Sequence, residues 1–170
     1  MIRVLFLSVL FILFSGCSKN YAPLPTVEKV ELQKYKGTWY EIARYDHSFE
    51  KGCKNVTATY KLRGDEKIDV INKCTNIEDN EKKEAKGIAY AVDDTNSKLK
   101  VSFFRPFYGD YWILDLADDY SYALVGTPSR EYLWILSRTK TIEPKTKQNL
   151  LSILPKLGFD PSKFIWTIQE

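Results

Sequence analysis

Three cysteines and one histidine carry most of the reactive chemistry available to this 170-residue chain. His47 is the only histidine, so Cys53 and Cys74 cannot be completed into an ordinary zinc site, which needs four Cys or His ligands. There is no G-x-S-x-G elbow, no P-loop and no C-x-x-C pair. The carboxylate pairs Asp93-Asp94 and Asp118-Asp119 sit among turn-formers and read as turn residues rather than as an acid–base couple. Glu41 is an acid inside the apolar run Trp39-Tyr40-Glu41-Ile42-Ala43. The residue types therefore favour binding over catalysis and call for no cofactor or metal.

Cys17 has a different chemistry, set by its position. Arg3 precedes an apolar run, Val4 to Phe14, and Ser15-Gly16 follow it. A positive start, a short apolar core and a small-residue cut site make a secretory signal. The run is too short to span a bilayer, which takes about 20 apolar residues. Because the cut site ends in cysteine, Phe14-Ser15-Gly16-Cys17 resembles a bacterial lipoprotein signal, with Phe14 where that family usually has Leu. The resemblance implies removal of residues 1–16 and acylation of Cys17 with palmitate-type chains. Ser18, rather than Asp, after the cysteine favours the outer over the inner membrane. Residues 17–30, with Pro23 and Pro25, read as a lipidated tether, and 31–170 as one domain.

Export places Cys53 and Cys74 in an oxidising compartment. Between them Val56, Ala58, Tyr60 and Leu62 alternate with polar residues, Gly64-Asp65-Glu66 turns the chain, and Ile68 and Val70 resume the alternation. Folding back around residue 64 brings 53 and 74 opposite one another, where a disulfide would staple the hairpin base.

The elements that must position these residues continue in the same style. GIAYAV (87–92), LKVSFF (99–104), YWILDL (111–116), YALVG (122–126) and YLWILS (132–137) are short, apolar and separated by turn-formers, including Pro106 to Asp110. Strands at such spacing predict an antiparallel sandwich or barrel. After Glu143-Pro144, Leu150, Leu151, Ile153, Leu154 and Leu157 recur at helical spacing, and Gly158 and Pro161 end the helix. A short final strand is expected at Phe164 to Ile168. Formal charge is +3 with lysines and acids interleaved, a solvated surface that gives no reason to expect nucleic acid.

Gly37-x-Trp39 in the first strand, Asp119-Tyr120 in a late turn and Arg138 after YLWILS come in the order in which the lipocalins carry their motifs, with Asp118 in place of the usual threonine. The chain resembles the lipocalins over nearly all of its mature length, and WYEIAR (39–44) and YLWILSR (132–138) look like the bacterial, apolipoprotein-D-like branch. The resemblance implies an all-β, eight-stranded antiparallel up-and-down barrel with one C-terminal α-helix and a short final strand. It implies structural roles for Gly37, Trp39 and Arg138, with the arginine lying across the indole at the closed end.

Alternation then sorts the faces. Inward positions are Trp39, Glu41, Ala43 and Tyr45; Val56, Ala58 and Tyr60; Ile68 and Val70; Gly87, Ala89 and Ala91; Leu99, Val101 and Phe103; Tyr111 and Ile113; and Tyr132, Trp134, Leu136 and Arg138. Tyr60, Ala58, Ala89, Val101, Phe103, Tyr111, Ile113, Tyr132 and Trp134 are the expected ligand contacts, with space left by the small residues at 87, 89 and 91. Glu41 is read either as part of a polar network near Arg138 or as a rim group reaching solvent. Phe49 and Lys51, in the loop after the first strand, are placed to cover a ligand and to meet an anionic headgroup. Trp112 lies either under the late helix or, with Tyr40, on a face available to a homodimer.

The resemblance implies carriage or storage of fatty acids, lysophospholipids or similar amphiphiles, by a protein anchored at the outer membrane and facing the periplasm. Two other classes stay open: an enzyme acting on a captured lipid, and an envelope adaptor with a filled barrel.

Overall fold

The computed structural model describes residues 22–170. The leader 1–16, Cys17 and the first residues of the tether lie outside the described residues. Eight strands follow in order: β1 (Gly37–Tyr45), β2 (Cys53–Leu62), β3 (Lys67–Asn76), β4 (Lys82–Ala91), β5 (Lys98–Phe104), β6 (Phe107–Leu116), β7 (Tyr122–Gly126) and β8 (Leu133–Ser137). Each pairs antiparallel with the next, β8 returns to β1, and β1 pairs with β2, so the barrel closes on itself. A four-residue helix, α1 (Leu32–Tyr35), precedes β1; α2 (Pro144–Ile153) and β9 (Phe164–Trp166) follow β8, with β9 added to β1.

The loops after β1, β3, β5 and β7 gather at one end, the mouth; those after β2, β4 and β6 gather at the base. Two differences from the sequence reading arise at the mouth. β4 starts at Lys82, five residues earlier than its apolar run, because Lys82 to Lys86 are solvated on both faces and carry no alternation, yet pair with β3 through Thr75↔Lys82 to Ile71↔Lys86. The stretch Pro106 to Asp110 is not a turn: Phe104 pairs with Phe107, only Arg105-Pro106 turns, and the Lys100–Asp110 ion pair (2.8 Å) links the two strands.

The described part of the tether, 22–30, lies along the barrel wall. At the mouth, Arg130 in the β7–β8 turn donates from Nη2 to the Ala22 carbonyl (2.7 Å) and from Nε to the Leu157 carbonyl (3.1 Å). Leu24 is buried, Val27 N–H donates to the Ile113 carbonyl, and Val30, fully buried, donates to the Thr95 carbonyl at the base. The segment is thus a strap running from mouth to base.

Apolar residues form two layers. One fills the lower barrel and includes Trp39, Ile68, Ala89, Leu99, Ile113, Ala123, Val125 and Leu136. The other lies between wall and helix, where Leu150 and Leu154 meet Leu124, Leu133, Ile135 and Phe159. Trp112 packs against this second layer, the helix side, with Lys98 Nζ 4.8 Å from its ring centre. Gly158 ends the helical segment at φ 82°, the left-handed conformation a glycine supplies most readily.

β1 breaks the expected alternation. Its register against β8 shifts between Glu41 and Ala43, so Ile42 is an extra, bulged residue. A bulge moves every later side chain to the other face. Ala43 and Tyr45 therefore do not point inward as expected; they join the layer under α2, and Arg44 turns into the barrel wall instead.

β1 also holds the seam. Its ladder to β2 covers only Gly37–Tyr40 against Thr57–Tyr60. Nearer the mouth the C-terminal tail bridges the two strands: Gln169 Nε2 donates to the carbonyls of Glu41 and Val56 (both 2.8 Å), and Asn55 N–H donates to the Ile168 carbonyl (2.8 Å).

Candidate ligand cavity

The base is closed by one side chain. The Arg138 guanidinium lies across Trp39, 3.8 Å from the ring centre, and donates to the carbonyls of Lys34, Tyr35, Lys36 and Thr38 at 2.7–3.1 Å. Three of those carbonyls end or follow α1, so a cation caps the negative end of a helix while stacking on the indole. Gly37, at φ 98°, takes the chain from α1 into β1 with its Cα beside the arginine.

Above this plug three phenols meet. Tyr111 Oη is 2.8 Å from both Tyr35 Oη and Tyr60 Oη. Burial pushes all three hydroxyls well above their usual titration range, so they stay protonated. Tyr60 and Tyr111 form the floor of a cavity of about 800 Å³ open at the mouth, with Tyr35 bonded to Tyr111 beneath it.

Of the nine expected contacts, Ala58, Tyr60, Val101, Phe103, Tyr111, Tyr132 and Trp134 line this cavity. Ala89 and Ile113 do not: both are fully buried in the lower core. Ile113 lies one inward position nearer the base than Tyr111, below the phenol floor. The space expected over Gly87 is filled: a Cβ there would meet the Phe103 ring at 2.9 Å and the Ser102 carbonyl at 2.8 Å. The wall is completed by Val56, Val70 and Leu136, which the alternation places inward, and by Phe104 and Phe107 at the rim, which it does not.

Polar groups collect on one side, under the loop after β1. Arg44, side chain 4% exposed, donates to Glu41 Oε1 (2.9 Å), to Thr167 Oγ1 (3.3 Å) and to the Glu50 carbonyl (2.9 Å). Glu41 is therefore paired, but with Arg44 rather than Arg138, and it is neither at the base nor in solvent; the bulge at Ile42 brings the two side chains to the same wall. Glu50 Oε2 lies 3.6 Å from Arg44 Nε and 3.4 Å from His47 Nε2. Burial and the neighbouring Glu41 carboxylate push the Glu50 carboxyl far above the usual carboxylate range, against the pull of Arg44. Burial, aided by Arg44, lowers His47 to about 4. His47 is thus a buried neutral ring, stacked on Phe49 (3.8 Å) and packed against Tyr132 and Trp134, not a free imidazole in a loose loop. Phe49 hangs over the cavity, while Lys51 faces solvent. Nothing in the sequence flags Arg44 and Glu50 as buried partners, because no periodicity reports a bulge or a loop carboxylate.

The arrangement is a deep apolar chamber with few polar groups: the phenols on the floor, Glu41 and Glu50 on one wall, and Asn72, whose Oδ1 has no partner. Cys53 and Cys74 are joined in a disulfide that ties β2 to β3 beside the mouth. Among the described residues no group of three His, Cys, Asp or Glu could hold a metal ion, and no helix is long and apolar enough to cross a membrane.

Residues 30–169 match the family model described as a lipocalin-like domain. The chain is 48% identical over 157 residues to the outer membrane lipoprotein Blc of Escherichia coli, covering 91% of this chain and 89% of that protein. It is 44% identical over 170 residues to the outer membrane lipoprotein Blc of Vibrio cholerae, covering 99% of each. Insecticyanin from the tobacco hornworm Manduca sexta superposes with a TM-score of 0.69 at 27% identity, covering 86% of this chain and 85% of that one.

Proposed function

The chain belongs to the lipocalin family, a family of binding proteins rather than enzymes, and from that membership we propose that it carries single-chain amphiphiles, fatty acids or lysophospholipids, as a lipoprotein anchored by acylated Cys17 to the outer membrane and facing the periplasm. The observation that carries this reading is the open chamber of about 800 Å³. Its size and its mainly apolar walls match sites that enclose small hydrophobic ligands, and a filled barrel would leave no such space.

The acyl chain lies along Ala58, Val101 and Leu136 toward the phenol floor, and the polar end stays near the mouth. There Asn72 Oδ1 and the protonated Glu50 carboxyl supply hydrogen bonds, and Tyr132, Trp134 and Phe49 cover the upper chain.

The test is a titration of the folded domain, produced without residues 1–17, with palmitic acid and with a lysophospholipid, followed by tryptophan fluorescence and native mass spectrometry. Saturable one-to-one binding that Trp134→Ala weakens supports the reading. A protein indifferent to both ligands overturns it.

A further inference from the structure

The rim of the mouth carries a cluster of exposed aromatic side chains. Phe104 and Phe107 flank the Arg105-Pro106 turn, are 76% and 71% exposed, and stack on each other with ring centres 6.3 Å apart. Phe103 and Tyr108 are also exposed beside them, and Phe49 projects from the loop after β1 at 64% exposure. Exposed phenylalanines in such a cluster are unfavourable in water and favourable at a lipid interface.

A second, independent observation says what covers them. The strap is pinned to the mouth by the Arg130–Ala22 hydrogen bond. Ala22 is five residue steps from Cys17, so an extended chain places the acylated cysteine no more than about 18 Å from the mouth. The base lies a full strand further away, roughly 30 Å along a ten-residue strand. With Cys17 in a bilayer, the mouth is the end that reaches the surface. The β7–β8 turn that holds the strap and the β5–β6 turn that carries the phenylalanines also line the same opening through Thr127, Ser129, Phe104 and Phe107.

We infer that the mouth is a membrane-docking face: the Phe104–Phe107 tip inserts into the leaflet that holds the Cys17 acyl chains, and the cavity opens onto lipid rather than water. The occupant is a bilayer surface. Arg105 at the tip meets lipid phosphates. The acidic β3–β4 turn, Glu78, Asp79 and Glu81, stays on the raised side in water, so the barrel docks tilted toward the strap. This rests on the carrier reading and on the acylation of Cys17, and adds the source of the ligand: a single-chain lipid drawn from that leaflet without crossing water.

The experiment uses the full acylated chain reconstituted in vesicles of phosphatidylethanolamine and phosphatidylglycerol. A fluorescent probe is attached at Phe104→Cys, at Phe107→Cys as a second rim site, or at Asp94→Cys in the β4–β5 turn at the base. The rim probes should be quenched by a nitroxide lipid roughly fivefold more than the base probe, with the reverse order for aqueous iodide, because burial in the acyl boundary removes water contact. Rim probes as open to iodide as the base probe overturn the inference. So do rim probes shielded from both quenchers while the protein cross-links as a dimer, which would make a second copy the occupant. Binding of palmitic acid in the same samples is read separately: docking without binding keeps this inference and removes the carrier reading, and binding without docking does the opposite.

Discussion

The Arg138 guanidinium carbon sits 3.8 Å from the centre of the Trp39 ring, and the same group accepts the task of satisfying four backbone carbonyls from α1 and β1. One side chain thereby fastens helix, first strand and barrel base together. Arg138→Ala removes the cation–π contact and hydrogen bonds to carbonyls that are mostly open to water, a loss of about 2 kcal/mol, or roughly 4–8 °C in Tm. Arg138→Lys recovers little, since a point charge cannot reach several carbonyls at once. Thermal unfolding of both variants checks this; palmitic acid affinity well below Tm should be unchanged, because the phenol floor separates Arg138 from the cavity.

The wall under the first loop makes stability depend on pH from both sides. His47 is lowered to about 4 in the folded chain, so the unfolded chain takes up its proton first, and stability falls as pH drops from about 6.5 toward 4. Glu50 is raised, so the folded chain keeps a proton that the unfolded chain releases, and stability falls as pH rises above about 4.5 toward the folded titration point. Glu50→Gln mimics the protonated form. It should remove the alkaline decline and raise Tm at pH 8 by a few degrees, on the order of 1–2 kcal/mol, while leaving the acid limb intact. Melting curves from pH 4 to 9 decide it.

Ala58 lines the cavity and pairs with Trp39 on β1 and Asn72 on β3. Ala58→Phe should occupy the acyl channel and weaken palmitic acid binding by about tenfold or more, since a ring excludes several buried methylenes. Stability should hold or rise slightly as the void fills. Equal affinity with the larger side chain would mean that the acyl chain lies elsewhere.

Gly87 is required by contact rather than by backbone conformation. Gly87→Ala pushes a methyl group against the Phe103 ring and the Ser102 carbonyl. Overpacking of this kind costs about 1–3 kcal/mol, visible as a lower midpoint in urea with an unchanged slope.

The Cys53–Cys74 bond closes a loop spanning the β2–β3 hairpin. Cys53→Ser with Cys74→Ser should lower stability by about 2–4 kcal/mol and leave the barrel's far-UV signature in place, since the hairpin ladder is long.

Much of this architecture is legible in the residues. The strand count, the hairpin disulfide and the Trp39–Arg138 plug follow from alternation, from cysteine placement and from the family pattern. What escapes is local. The bulge at Ile42 reverses the face of Ala43, Arg44 and Tyr45, because WYEIAR is compatible with either register and only packing under α2 against Leu133 and Ile135 decides. α1 escapes because four residues carry no period; its position is set by Arg138 and by the Tyr35–Tyr111 contact. That contact raises the floor and removes Ile113 from the expected wall.

The tail that bridges β1 and β2 gives this barrel a direction in time. Gln169 joins the carbonyls of Glu41 and Val56, so the mouth-side seam between the first two strands is bridged by a segment that follows the last strand described. A chain delivered from its N-terminus can form the β2–β6 meander early, but the barrel cannot close until β8 pairs with β1, and the mouth-side part of the β1–β2 seam stays unbridged until Gln169 arrives. That interval is when the apolar lumen is exposed and when a chaperone or a neighbouring sheet edge can capture it. Ile168 and Gln169 therefore act as a clasp, and Gln169→Ala would lengthen that interval rather than merely trim the surface.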